Sequence, residues 1–312
     1  MKKYSLSEKS ASQVVYGDNL DALAQIGPST VDLIYIDPPF NTGKEQSRTR
    51  IRTKRSENGD RIGFLGKKYV TEELDTTAYS DSFDDYPGYL EPRLREAHRV
   101  LVPWGSLYVH LDYREVHYVK VLLDQIFGRE CFINEIIWAY DYGGKPKTKR
   151  PAKHNTILFY AKDPKHFTFN IDEIDRIPYI APGLVSKEKA EMGKLVTDVW
   201  WLTIVPTNGK ERTGYATQKP LPILKRIISA SSKPGDLVLD FFAGSGTTGD
   251  AAMQLGRRFI LVDNNPEAID VMIKRFSQYE GIEYVDLDGC WWVMVLPSRV
   301  PPHRSQMFLV GI

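Results

Sequence analysis

The 312-residue sequence predicts an α/β protein built on a doubly wound, mostly parallel sheet. Three observations carry that expectation. β-rich runs alternate with helical patterns, the runs Val31–Ile36 and Leu237–Phe241 are short and mostly apolar, and a glycine-rich turn joins the second of them to a helix. Strands covered by helices on both faces have this apolar character, because neither face meets water.

The elements follow in order. Gln13–Tyr16 is rich in β-branched and aromatic residues and reads as a strand. Asn19–Ile26 reads as a helix capped by Asp18 or Asn19, and Val31–Ile36 as the first buried strand. The strand Ser106–Leu111 lies between the helices Pro87–Leu101 and Tyr113–Phe127, the second of which sets Val116, Val119, Leu122, Leu123 and Ile126 on one stripe. Ile133–Tyr140 and Thr156–Ala161 are further strands. The last third alternates again: helix Leu221–Ser232, strand Asp236–Phe241, helix Thr247–Leu255, strand Phe259–Val262 and helix Pro266–Gln278. Asn264 and Asn265 precede Pro266, the pattern of an N-cap followed by proline at the first helical position.

Two stretches break the alternation. Thr42–Tyr79 is polar, basic and aperiodic, too long for an ordinary connection, and reads as either a functional loop or a mobile one. Asp141–Ala216, with scattered proline, glycine and aromatics, reads as an inserted lobe. The expected organisation is therefore 1–140 with the basic loop 42–79, the insertion 141–216, a second half of the sheet at 217–286, and an apolar tail at 287–312. That tail packs either on the core or on a second subunit.

Composition excludes several classes. Hydrophobic residues are 42% and charged residues 26%, so the chain can build a core and is neither collagen-like nor a disordered polyampholyte. No apolar run approaches the roughly 20 residues of a membrane helix, and the start, MKKYSLSEKSASQ, lacks the apolar stretch of a signal peptide. Cys131 and Cys290 are too few for a disulfide framework, and the expected compartment is the cytoplasm. His98, His110, His117, His154, His166 and His303 lack a ligand spacing, so no metal site is expected. His110 reads as a buried, hydrogen-bonded histidine. Lys+Arg and Asp+Glu nearly balance at 41 and 40, but they are segregated. Residues 41–70, including Arg48, Arg50 and Arg52, carry an excess of six positive charges, and 72–96 an excess of six negative. A second basic cluster holds Lys145, Lys147, Lys149, Arg150 and Lys153. A polyanion responds to local potential, so a neutral total leaves a nucleic-acid partner open.

Two constellations carry chemistry. Residues 240–249 read DFFAGSGTTG at the end of a strand and the start of a helix, and Asp263 closes the next strand. Glycines let the backbone turn tightly beside a ligand, free helix N–H groups point into the same space, and the carboxylate can accept ribose hydroxyls. A triphosphate cradle is excluded, because Asp250 stands where Lys-Ser/Thr is needed. A dinucleotide and S-adenosylmethionine both remain compatible with Gly244, Gly246 and Gly249. The second constellation is Asp37-Pro38-Pro39-Phe40 directly after Val31–Ile36. Consecutive prolines fix the backbone and remove two donors, so carbonyls face the site as acceptors. A carboxylate, a preset carbonyl and an aromatic face suit a planar base with an exocyclic amino group. Hydride transfer has no use for them.

Taken together these blocks resemble the β group of DNA amino-methyltransferases. Asp37–Phe40 looks like that family's catalytic motif, and Phe242 to Gly246 like its S-adenosylmethionine motif, in the permuted order with the catalytic motif first. Thr217-Gln218-Lys219-Pro220 and Gly17 to Leu23 match further blocks, while Leu107 to Asp112 looks like type III modification subunits. Two departures are Tyr215-Ala216, where His-Pro is usual, and Phe241, where proline is usual. The resemblance, over about Val14–Phe276, implies a Rossmann-like methyltransferase fold with a target-recognition lobe at 141–216. It implies that Asp37, Pro38, Pro39 and Phe40 hold the target amino group, and that Phe242, Gly244 and Gly246 shape the cofactor pocket. Asp263 would bind the ribose and Asp18 the adenine amino group, and Thr217 to Pro220 would flank the methionine carboxylate with Lys219 as charge partner. Asp240, Ser245, Thr247 and Asn264 complete the cofactor set.

The implied reaction is methyl transfer from S-adenosylmethionine to an extruded base of double-stranded DNA. Adenine N6 is favoured by the aspartate heading the tetrad, with cytosine N4 as the alternative. Carbon-5 methylation is excluded, since neither Cys131 nor Cys290 follows a proline. Candidate partners beyond DNA are a restriction endonuclease and a second copy of the chain; no membrane partner is implied. A nicotinamide oxidoreductase and a noncatalytic nucleic-acid-binding protein are the competing readings. If the two basic clusters face DNA, raising salt weakens binding steeply and deleting Arg48–Lys68 flattens the slope of log affinity against log salt. A salt-independent affinity in a filter or anisotropy titration removes both clusters from the DNA face.

Overall fold

The computed structural model describes residues 6, 11–55, 61–62, 68–206 and 209–287, with the backbone alone at 44–55, 61–62 and 68–81. The tail from 288 onward lies outside the described residues. In chain order the elements are β1 (Ser12–Tyr16), α1 (Asn19–Ala24), β2 (Val31–Ile36), β3 (Lys44–Arg55), β4 (Arg61–Ile62), β5 (Lys68–Asp81), α2 (Tyr86–Val100), β6 (Leu101–Leu111), α3 (Val116–Phe127), β7 (Phe132–Ala139) and β8 (His154–Ala161). They continue with β9 (Arg176–Ile177), α4 (Lys187–Met192), β10 (Lys194–Leu195), β11 (Val199–Trp201), α5 (Leu221–Ser231), β12 (Leu237–Asp240), α6 (Thr247–Gln254), β13 (Arg258–Asp263), α7 (Pro266–Phe276) and β14 (Ile282–Asp286).

Among the described residues, nine strands form the main sheet in the order β11-β7-β8-β6-β2-β12-β13-β1-β14. Every neighbouring pair is parallel except those that β8 makes with β6 and β7. The doubly wound, mostly parallel α/β fold read from the sequence is the fold observed. Its central strands are buried on both faces, as their apolar sequences require: Leu33, Ile34, Ile36, Val238, Leu239, Ile260, Leu261 and Val262 are at most 1% exposed. Helices seal the sheet through single faces. α5 buries Ile223, Leu224, Ile227 and Ile228, and α7 buries Ala268, Met272 and Phe276. Each such aliphatic side chain contributes about 1.5–3 kcal/mol on leaving water.

Local signals placed most boundaries. Asp18 caps α1 by accepting the Leu20 amide at 2.8 Å. α7 is capped by Asn265, whose side chain accepts the Glu267 amide at 2.9 Å, while Asn264 is exposed. On α3 the buried stripe ends with Phe127 rather than Ile126.

Two expectations about organisation are corrected. The stretch 42–79 is no aperiodic loop: β3 and β5 pair antiparallel over its length, with β4 on the far edge of β5. The register sets Arg50 across from Asp75 and Arg52 across from Glu72, so the basic run and the acidic run that follows it occupy paired strands. Both strands are polar at most positions, so a period-two apolar pattern never arises to announce them. The stretch 141–216 in turn is not a separate lobe, since β8 and β11 are members of the main sheet. The segment that forms a compact unit of its own is Pro39–Tyr86. Inside it, the Tyr86 hydroxyl donates to the Pro39 carbonyl at 2.5 Å and the Phe83 amide donates to Asn41 Oδ1 at 2.9 Å.

The glycine at 249 shows how closely α6 lies on the sheet. A Cβ there would stand 2.7 Å from Leu261 Cδ1 and 2.9 Å from Phe276 Cζ. Gly249→Ala gains about 1 kcal/mol of helix propensity but must displace two core side chains, an overpacking of about 1–3 kcal/mol. The melting temperature is expected to fall; a rise would mean that the core yields more easily than its packing indicates.

Candidate active site

The site is assembled by strand adjacency. β2 and β12 are neighbours although some two hundred residues separate them, with Leu33 paired to Val238 and Ile34 to Leu239. Their carboxyl ends therefore open together, at the edge where doubly wound sheets bind ligands. Asp37 follows β2, Asp240 ends β12 and Asp263 ends β13.

Asp240 anchors the glycine turn. Its Oδ1 accepts the Phe242 amide at 3.0 Å and its Oδ2 the Thr248 hydroxyl at 2.6 Å, tying the strand end to the first turn of α6. Asp263 reaches back from β13 and accepts the Gly244 amide at 2.7 Å and the Asn265 amide at 2.9 Å. Gly244 and Gly246 take φ of +50° and +73°, the left-handed region that side chains strain to enter. Ser245 and Thr247, both buried, lie hydroxyl to hydroxyl at 3.1 Å and stiffen the same turn. The turn is thus held from both ends by carboxylates.

Burial governs the charge of these groups. It pushes the Asp240 carboxyl up to about 7, with the nearby charges of Asp37 and Asp263 adding to the rise and the bonds from Thr248 and Phe242 opposing it. Burial likewise raises Asp263, against the amides of Asn265 and Gly244. Asp37 is raised by burial and lowered by Lys219, whose ammonium bonds Asp37 Oδ2. The two side chains are 12% and 13% exposed, so this ion pair is largely removed from water. Asp37 Oδ1 is buried and has no hydrogen-bond partner among the described residues. A buried acceptor left empty costs about 1–3 kcal/mol, which marks the position as one shaped for a donor.

Other expected residues fall as follows. Pro38 is buried beside Asp37 in the main body, while Pro39 and Phe40 begin the compact unit of residues 39–86. Asp18 keeps one oxygen on its cap bond and the other 3.5 Å from Arg93 Nη2, beside the end of β13, where Gly17 donates to the Asp263 carbonyl at 3.2 Å. Lys219, expected beside a carboxylate of the cofactor, pairs here with Asp37. Gln218 straps its own loop together, accepting from Thr213 and donating to the Glu211 carbonyl at 2.7 Å. Thr217 is exposed and Pro220 is the buried residue before α5. Lys145, Lys147, Lys149 and Arg150 are exposed on the loop from β7 to β8; Lys153 turns inward and donates to the Gly143 carbonyl at 2.9 Å. The side chains of Arg48, Arg50 and Arg52 lie outside the described residues.

Sequence reasoning missed a clamp behind the turn. Asn19 donates to the Phe241 carbonyl at 3.1 Å and accepts from Arg93 Nε at 2.6 Å, while Arg93 lies 4.0 Å above the Tyr89 ring. Tyr89 in turn lies against Phe242, centroids 6.4 Å apart. A buried arginine on an amphipathic helix has no sequence signature. Tyr215, standing in place of the family's usual histidine, sits where a Cβ on Gly244 would come within 3.2 Å of its ring. A cavity of about 1020 Å³ opens beside it, lined by Trp138, Tyr140, Asn155, Trp201, Tyr215 and Lys219 among others.

Comparison with known proteins agrees with this geometry. The profile of the family described as DNA methylase, covering N6 and N4 enzymes, matches residues 31–275. The chain belongs to that family. It is 31% identical over 276 residues to the type II methyltransferase M.HpaI of Haemophilus parainfluenzae, a match covering 88% of this chain and 77% of the relative. It is 32% identical over 280 residues to the DNA adenine methyltransferase YhdJ of Escherichia coli K12, covering 86% and 83%. Among solved structures, the PvuII cytosine-N4-specific DNA methyltransferase superposes with a TM-score of 0.59 at 16% identity, covering 88% of each chain. The M1.HpyAVI–SAM complex superposes with a TM-score of 0.54 at 21% identity, covering 85% of this chain and 98% of that one. These last two establish the methylase fold.

Because the Asp240 carboxyl lies above its ordinary 3.8, the folded state holds this proton longer than the unfolded one. Its stabilising contribution is complete below about pH 4 and is lost as pH rises through about 7. The melting-temperature advantage of the wild type over Asp240→Asn is expected to shrink across that interval. An advantage that stays constant from about pH 4 to 8 would assign Asp240 an ordinary carboxyl.

Proposed function

We propose that this DNA methylase transfers a methyl group from S-adenosylmethionine to the exocyclic amino group of an extruded base in double-stranded DNA, with adenine N6 as the acceptor. The observation that carries this reading is Asp37: a carboxylate at the end of β2, almost removed from water, with one oxygen on Lys219 and the other empty. An amino group is the donor that such an acceptor suits. Adenine is supported by the aspartate at the head of the tetrad and by the adenine-methylating relative YhdJ; cytosine N4 is the second reading, represented by the PvuII enzyme.

The residues at the neighbouring strand ends fit the cofactor. Asp263 uses one bond on each oxygen for a backbone amide, and a carboxylate offers about four acceptor positions, so ribose hydroxyls can still be taken. Asp18 sits on the adjacent strand end, 44% exposed and able to accept from an adenine amino group. The glycines of the turn admit a ligand against the backbone, and Phe242 with Tyr89 offers an aromatic wall. S-adenosylmethionine supplies a methyl group made electrophilic by its sulfonium.

The chain's own part is placement and proton handling. Asp37 and the Pro38 carbonyl would take the two amino hydrogens, which turns the nitrogen lone pair out of conjugation with the ring. Lys219 favours the ionised, accepting form of Asp37 and opposes the burial that raises its carboxyl. For Phe40 the resemblance of the tetrad implies stacking on a base. Extruding the base from a duplex costs a few kcal/mol (about 2–5), repaid by contacts of this kind.

Asp37→Ala is expected to reduce methyl transfer by about 10³-fold or more, since it removes the group that orients the nucleophile. Calorimetric affinity for S-adenosylmethionine should stay within severalfold, because Asp37 is not part of the turn. Turnover retained by purified Asp37→Ala protein discards the assignment. Sequencing of DNA from cells expressing the wild type, with a readout for modified bases, decides between adenine N6 and cytosine N4.

A further inference from the structure

A row of polar side chains crosses the core of the main sheet, apart from the tetrad and the glycine turn. Tyr35 on β2, His110 on β6, Asn155 on β8 and Tyr140 just past β7 occupy four neighbouring strands. The Tyr35 hydroxyl lies 2.8 Å from His110 Nδ1, Asn155 Nδ2 donates to His110 Nε2 at 3.0 Å, and the Tyr140 hydroxyl donates to Asn155 Oδ1 at 3.0 Å. Trp138 packs edge-on to the imidazole, with centroids 5.5 Å apart. His110 is fully buried, Tyr35 is 2% exposed and Asn155 6%.

The bonds have one direction. An amide nitrogen only donates, so Nε2 accepts, and the ring proton sits on Nδ1 facing the Tyr35 oxygen. Neutral imidazole, with one donor and one acceptor, satisfies both neighbours; imidazolium could not accept from Asn155. Burial, assisted by the Lys219 cation, keeps His110 neutral. A fully satisfied row of this sort adds little stability beyond an apolar one, but it admits a single arrangement of its members.

What lies at the two ends gives that arrangement a purpose. Tyr35 stands two residues before Asp37 and feels its charge. Asn155, Tyr140 and Trp138 line the cavity of about 1020 Å³, whose wall also includes Lys219, the partner of Asp37. Among the strands here, β8 runs antiparallel to its neighbours, so its first residues meet the carboxyl ends of β6 and β7: Thr156 pairs with Leu111, and Asn155 with Trp138. The row therefore connects the catalytic strand to the cavity wall through side chains of fixed orientation.

We propose that His110 is a positioning residue for the acceptor base: through Asn155 and Tyr140 it sets the wall of the cavity that receives the extruded nucleobase, in register with Asp37. This inference rests on the methyltransferase reading and adds to it the element that aligns the acceptor. His110 touches neither substrate nor cofactor and acts through its neighbours.

The test uses the full-length protein and a duplex carrying 2-aminopurine at the position that sequencing shows to be modified. Extrusion of that base raises its fluorescence, with no cofactor needed. His110→Leu, which keeps bulk but loses both polar contacts, is expected to remove most of the fluorescence rise and to lower kcat by about tenfold or more, the scale of a misplaced reactant. Duplex affinity by anisotropy and the KM for S-adenosylmethionine should stay within about twofold, as for a residue remote from both surfaces. His110→Gln, whose amide has a donor and an acceptor, should restore at least part of both signals. Tyr140→Phe breaks the row at its outer end with little risk to folding and should lower the fluorescence rise in the same direction. A folded His110→Leu protein with wild-type fluorescence and kcat overturns the inference, and so does a wild-type response from Tyr140→Phe should the leucine variant fail to fold. A wild-type protein that methylates no DNA defeats the methyltransferase reading itself, a separate result.

Discussion

Three carboxylates sit at the ends of three adjacent strands, β2, β12 and β13, and desolvation raises all of them. Gathering acids in a low-dielectric edge is unfavourable unless each finds a compensating donor, and the surroundings are organised to provide one. Asp240 receives an amide and a hydroxyl, Asp263 two amides, and Asp37 an ammonium. The compensation differs in kind. The first two carboxylates are bonded by backbone or by a helix-start threonine, so their partners cannot leave without unfolding the turn. Asp37 is held by a long, flexible side chain and retains one empty oxygen. Two carboxylates locked to the turn and one that keeps an open acceptor position thus stand at the ends of neighbouring strands.

The same arrangement explains how the glycine turn and Asp37, far apart in sequence, come to lie at one edge of the sheet. Nothing in either motif brings them together; the pairing of β2 with β12 does. That pairing is specified by apolar strands whose faces are both covered, so register, and with it the alignment of Asp37 with Asp240, follows from burial. Asp32 reinforces it at the opposite end of the strands, accepting the Leu237 amide at 2.9 Å.

What the sequence revealed followed from how local its signals were. The central strands, the caps of α1 and α7 and the glycine turn are written in runs of a few residues and were legible in advance. The hairpin of β3 and β5 was not, because strands polar on both faces lack the alternation that betrays a half-buried one. Neither was the strand content of 141–216, where β11 is only three residues long. Within the site, Asp37, Asp240 and Asp263 were identifiable from their motifs, while the pairing of Lys219 with Asp37 and the contact of Arg93 with Asn19 join residues 182 and 74 positions apart. The bonds by which Gln218 straps its own loop to Thr213 and Glu211 had no signal in its family block.

The position of β1 has a consequence for how the molecule comes into being. Val14 lies between Leu261 and Tyr284, so β1 finds both of its neighbours only in strands made far later in the chain. Until β13 and β14 emerge, β1 is a strand with two open edges, and the nascent chain must carry it unpaired. Contacts spanning such distances close slowly. Closure of the sheet around β1 therefore waits for β13 and β14, and a chain interrupted before β13 would expose an adhesive strand, a natural target for chaperones.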